Sequence, residues 1–218
     1  AFHPTQVPVG NLSAICKEQR FQKKLQDGKL DKYLTNKKRW VPAVLGWEAN
    51  KFYLTDHHHL LYALHMMHYT GYVVVNIQAD FSDKNIYRTE DIFWSAMKQN
   101  NWMYDRDERG VPLTNATVQI PSNIEELKND PYRTLASLMI YYGFVGKSED
   151  APEFVEFLWS NYLRSENVTL HYGMSWYDED SDLHRVFNDA KVSVLSPDAR
   201  NLPGWHQGTV DLPECTVL

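Results

Sequence analysis

"YLTDHHHLLYALHMMHYTG", residues 53–71, runs from a β-rich segment into a helix and sets five of the chain's nine histidines within twelve positions. Asp56 is suited to cap that helix, because a carboxylate accepts from first-turn N–H groups that have no intrahelical partner. Gly71 is suited to end it at the C′ position. At 100° per residue Leu60, Ala63, Leu64 and Met67 share one apolar arc, the predicted core face. His58, Leu61, His65 and His68 fall within about 80° on the neighbouring arc. His57 and His58 stand in the first turn, where free N–H groups and the helix dipole favour an anion. The stretch therefore admits three roles: a phosphate cradle, a metal site, or a helix whose histidines edge the core.

Outward from this helix, "YVVVNIQAD" (72–80) predicts a continuous, buried strand. "WVPAVLGW" and "KFYLT" predict two strands that feed the helix, and residues 13–39 predict helix with a break at Asp27-Gly28. "FHPTQVPVGNL" opens the chain as a Pro-punctuated strand. Residues 1–80 thus form an α+β unit, and residues 81–218 a mainly helical extension packed on it as one structural domain. In the extension, "TEDIFWSAMKQNN" predicts a helix with a Thr89 cap, and residues 103–121 form a loop or hairpin. Asp130-Pro131 and Gly143 frame another helix, and Asp150 with Pro152 open a further one.

The chain has 218 residues, 43% of them hydrophobic, enough for a sizeable core. No run of about 18 apolar residues occurs, so no segment of the sequence is predicted to span a membrane. The net charge of −6 argues against wholesale nucleic-acid binding, which needs a basic face. The charge is uneven: residues 17–39 hold nine Lys/Arg (Lys17, Arg20, Lys23, Lys24, Lys29, Lys32, Lys37, Lys38, Arg39) against Glu18, Asp27 and Asp31. That segment is +6 and the remainder −12, which fits either a solvated helix face or an anion-facing wall. Cys16 and Cys215 lie near opposite ends and are candidates for a disulfide. Sequons at Asn11, Asn115 and Asn167 are candidate glycosylation sites. With the Ala1 start they fit a mature secreted or extracellular protein, although a trimmed cytoplasmic chain begins the same way.

Five motifs taken in order, "HPTQVPVG", "FYLTDHHHLLYALH", "NDPYRTLASLM", "FVEFLWSNYLR" and "ARNLPG", resemble the Putative ParB-like nuclease family, within the ParB/sulfiredoxin superfamily. The resemblance runs from about residue 3 to residue 204. It implies a small mixed sheet with flanking helices, with phosphate or nucleotide contacted by the segment entering the central helix, here "TDHHH". That segment is similar to the Asp-Gly-His-His element of free-serine kinases, with Asp56, His58 and His59 matching and His57 in place of glycine. Sulfiredoxins carry a reactive cysteine in the corresponding loop and this chain has none there, which disfavours sulfinic-acid reduction.

On this basis Asp56, His58 and His59 are the expected catalytic residues, lining one site open to solvent. His57, Arg133 and Lys17 are the expected ligand contacts, with a small anionic ligand or nucleotide as partner and a divalent metal such as Mg2+ as its companion. Arg133 sits where the dipole opposes a cation, so it serves either a ligand or a carboxylate such as Asp130 or Glu156. A metal alternative uses His58, His65 and His68, although the helix rise separates His58 from His65 by about 10 Å. Phosphoryl transfer or phosphodiester hydrolysis is the expected reaction class. The competing readings are a secreted interaction protein without phosphate chemistry and a nuclease acting on DNA or RNA.

Overall fold

The computed structural model describes residues 2–46, 51–146, 154–168, 170 and 182–206. The chain divides into two compact units, one of residues 1–9 and 17–128, the other of residues 10–16 and 129–218. The division therefore falls after Lys128 and not at residue 80.

The first unit is built on a four-stranded sheet. Its elements are β1 (Phe2–His3), β2 (Pro8–Val9), the greater part of α1 (Asn11–Gln26), α2 (Leu30–Leu34), β3 (Val41–Leu45), β4 (Phe52–Leu54), α3 (His58–Met66), β5 (Val75–Asp80), α4 (Glu90–Gln99), α5 (Ala116–Gln119) and the start of β6 (Lys128–Asn129). Sheet order is β1-β4-β3-β5, with β1 parallel to β4, β4 antiparallel to β3, and β3 parallel to β5. The Lys128 N–H donates to the Val7 carbonyl at 3.0 Å beside the short β2–β6 pair.

Two apolar clusters hold this unit. Phe21, Leu30 and Leu34 pack with Leu54, Leu60, Leu61, Ala63 and Leu64, so the predicted apolar arc of α3 does face a core. Phe93, Trp94 and Met97 of α4 pack with Val44 and Tyr53 of the sheet. That second cluster is why residues beyond 80 belong here: α4 buries its apolar face against the strands, and Thr89 caps it by accepting from the Ile92 N–H. β5 departs from its expected burial. It is the edge strand, and Ile77 is 43% exposed.

The second unit contains β6's last residue, α6 (Pro131–Tyr141), α7 (Val155–Ser165) and α8 (Asp182–Val194). Leu135, Met139, Trp159, Leu163, Val186 and Phe187 form its core. α6 keeps the predicted frame, with Asp130 capping, Pro131 at the first turn and Gly143 at φ 73° beyond its end. α7 begins at Val155; Asp150 and Pro152 lie outside the described residues.

Trp159 Nε1 donates to the Pro203 carbonyl at 2.9 Å, tying "FLWSNYLR" to "NLPG". Cys16 is buried, and Cys215 lies outside the described residues.

Gly10, the last residue of "HPTQVPVG", meets Thr134 so closely that an added Cβ would lie 2.8 Å from Oγ1 and 2.9 Å from the backbone nitrogen. Backbone cannot yield as a flexible side-chain end can. Gly10→Ala is therefore expected to destabilise the protein by about 1–3 kcal/mol, read as a lowered midpoint in urea unfolding.

Candidate functional site

Thr5 explains how the β4–α3 turn is held. It is fully buried, and each of its polar groups has a partner. Its N–H donates to His58 Nε2 at 3.1 Å, its hydroxyl donates to the Leu54 carbonyl at 2.5 Å, and its carbonyl accepts from the Tyr104 N–H at 2.9 Å. An acceptor carries no proton, so the geometry assigns the neutral Nδ1-protonated tautomer to His58. Thr55, on the other side of the turn, donates its hydroxyl to Gln78 Oε1 at 2.7 Å. His3 stacks on Tyr53 with ring centroids 5.2 Å apart, and Gln6 Nε2 donates to the Pro8 carbonyl at 2.6 Å. A buried polar set (His3, Thr5, Gln6, Thr55, His58) thus backs the entry to α3.

His58 therefore does not line an open site beside Asp56 and His59. It is 3% exposed and turned inward against Thr5. Asp56 is exposed, and His57 and His59 are partly exposed.

The N-cap also moves by one residue from its expected place. His57 holds it, at φ 64°, and Asp56 Oδ1 accepts from the His57 N–H at 2.6 Å. A left-handed φ is uncommon for a residue with a Cβ and easy for glycine. That is a physical reason for the glycine which the similar kinase element carries at this position. Within the first turn of α3 the Leu60 N–H already donates to the His57 carbonyl at 2.9 Å.

At the far end the helix stops earlier than Gly71. His68, at φ 53°, takes the C′ position, with its N–H donating to the His65 carbonyl at 2.9 Å and the Tyr69 N–H donating to the Leu64 carbonyl at 3.0 Å. His65 and His68 are exposed, with ring centroids 6.4 Å apart, and His58 is buried against Thr5. The three imidazoles do not converge. Among the described residues no three His, Cys, Asp or Glu side chains are grouped to hold a metal ion.

A family model described as Putative ParB-like nuclease matches residues 1–165. The chain belongs to that family. Protein Atu1540 from Agrobacterium tumefaciens, known from its crystal structure, matches with a TM-score of 0.71 at 31% sequence identity; the match covers 96% of this chain and 94% of that one. No curated protein matches the chain. The fold of this ParB-like nuclease family member is the ParB/sulfiredoxin-like α+β arrangement with helices beyond it. No helix among the described residues is long and apolar enough to cross a membrane.

Arg133 belongs to a second polar network, inside the second unit. It is 7% exposed. Nη2 lies 3.4 Å from Glu156 Oε1, Nη1 donates to Ser137 Oγ at 2.6 Å, and the guanidinium sits 4.9 Å from the Phe157 ring centroid. Asp130 accepts from the Tyr132 N–H and from Arg164 Nη2, both at 2.9 Å, while Arg164 lies over the Tyr132 ring. Of the two roles open to Arg133, the structure supplies the carboxylate, and the partner is Glu156. Burial pushes the Asp130 carboxyl above its ordinary value, and Arg164 and the two backbone amides pull back against that rise.

Lys17 is partly buried on α1. Sequence reasoning missed Thr5. Its signal was there: Thr5 and Gln6, two polar residues followed by the apolar Val7 between prolines in "HPTQVP", too few to form an exposed loop of their own.

Proposed function

We propose that this ParB-like chain binds a phosphate group at the β4–α3 turn and hydrolyses a phosphodiester there. The observation that carries this reading is the division of labour in "TDHHH". His58 is held from inside by Thr5, while Asp56 is exposed and His57 and His59 are partly exposed. Directed N–H donors and imidazoles in a fixed turn suit a phosphoryl oxygen and the charge that develops on it.

In the reaction, the oxygen of a water molecule attacks phosphorus, and the bond to the leaving alkoxide breaks. The Asp56 carboxylate takes the water's proton, and the His59 imidazolium gives its proton to the leaving oxygen. Asp56 fits Mg2+ as well, because that ion needs only one or two carboxylates when a phosphate completes its shell. Bound there, it would neutralise phosphate charge.

Asp56→Asn and His59→Ala should each lower kcat/KM for bis(p-nitrophenyl) phosphate by about 100-fold without lowering the melting temperature. Undiminished turnover in both variants, or no turnover by the wild type with and without Mg2+, refutes the reading.

Secretion remains part of the proposal. Asn115 and Asn167 are exposed and open to glycans, whereas Asn11 opens α1 with its side-chain oxygen buried.

A further inference from the structure

The pairing of β5 with β3 skips one residue. Ala43 of β3 faces Ile77 and Val44 faces Ala79, so Gln78 sits in a bulge without a register partner on β3. The extra residue of a bulge can aim its side chain where regular alternation would not send it. Asn76, Ile77 and Gln78 are all exposed, where a strand with one buried face would alternate.

The Gln78 side chain goes to the candidate turn. In the sheet β3 lies between β4 and β5, and Gln78 spans it to accept at Oε1 from the Thr55 hydroxyl at 2.7 Å. Thr55 is itself held: it is buried, and its N–H donates to the Pro42 carbonyl of β3 at 3.0 Å. The next residue in the chain is Asp56.

The bond to Thr55 also orients the amide. A donating hydroxyl takes the amide oxygen, so Oε1 faces Thr55 and the two N–H donors of Nε2 face away from it. No described residue accepts from Nε2. Satisfying Thr55 uses one end of this side chain, and the donating end is held ready beside the turn.

The proposed reaction has a task for such a donor. Asp56 takes the water's proton and His59 protonates the leaving oxygen, which leaves the charge on the non-bridging phosphoryl oxygens to other groups. A preorganised amide N–H suits such an oxygen, and its donor does not titrate. We propose that Gln78 is a substrate-contacting residue of the β4–α3 turn, donating from Nε2 to a non-bridging phosphoryl oxygen, with Thr55 as the positioning residue that aims it. The inference rests on the phosphate reading of the turn.

The test compares Gln78→Met, which keeps length and removes both ends of the amide, with Thr55→Val, which keeps shape and removes only the orienting hydroxyl. The full chain of each variant is titrated with inorganic phosphate, followed by ¹⁵N amide shifts from Asp56 to Leu60, and assayed on bis(p-nitrophenyl) phosphate. Gln78→Met should weaken phosphate binding about 10- to 100-fold, the range for a lost hydrogen bond to a charged group. It should lower kcat by about 100-fold at an unchanged melting temperature. Thr55→Val keeps the donor without its aim and should lose less of both. Phosphate binding and turnover by Gln78→Met equal to the wild type's overturn the inference and leave the phosphodiester reading standing. Equal losses in the two variants, in step with a lowered melting temperature, overturn it as well, because Gln78 then serves only Thr55. Phosphate binding that needs Gln78, without hydrolysis by the wild type, supports the contact and removes the phosphodiester reading. A wild type whose turn takes up no phosphate overturns both.

Discussion

His58→Ala is expected to cost about 3–5 kcal/mol of stability and to abolish phosphate binding together with the fold of the turn. The change leaves the buried Thr5 N–H without an acceptor, which alone costs about 1–3 kcal/mol. The space left by an imidazole that is 3% exposed adds a cavity penalty. His59→Ala removes a partly exposed ring and should leave stability nearly unchanged. Equilibrium unfolding in urea separates the two. If His58→Ala unfolds like the wild type and loses only activity, His58 touches substrate and is not a positioning residue. His58→Gln, which keeps an acceptor on a flexible side chain, should restore part of the stability.

The second large effect belongs to Asp130. Asp130→Ala takes the acceptor from Arg164 and from the Tyr132 N–H that caps α6. Leaving a charge partly buried without its partner costs about 3–5 kcal/mol, cap included. The pH dependence has a definite sign. Because burial raises the Asp130 pKa, the folded form holds its proton at pH values where the unfolded chain has lost it. The contribution of this group to stability is therefore full below the unfolded value, about 3.9, and is lost as pH rises through the folded value. Asp130→Asn keeps an oxygen for the cap but cannot titrate. Its stability should fall less with rising pH across that window than the wild type's. A stability difference, wild type minus the Asp130→Asn variant, that grows with pH would contradict the assignment.

Much of this was legible in the residues because periodicity and caps are local signals. The apolar arc of α3, the Thr89 cap and the Asp130-Pro131 frame each depend on neighbours within a turn or two. The inward turn of His58 was not, since its partner Thr5 lies 53 positions away and a histidine at the margin of an apolar arc can face either way. Likewise "YVVVNIQAD" signals a strand but not its place in the sheet. A continuous apolar run suits a central strand, and this one is an edge. The left-handed φ at His57 was hidden for another reason. A residue with a Cβ seldom adopts it, so Asp56 was the natural cap, and the one-residue shift shows only in the backbone. The unit boundary depended on which surface the Phe93, Trp94 and Met97 face of α4 covers, and amphipathic spacing does not name the partner of a face.

The central claim, a phosphate site at the β4–α3 turn, is tested most directly by amide chemical shifts of the ¹⁵N-labelled protein titrated with a mononucleotide. The account predicts saturable shifts concentrated at Asp56 through Leu60 and at Thr5, absent in His59→Ala. Saturable shifts elsewhere that spare this turn would contradict it.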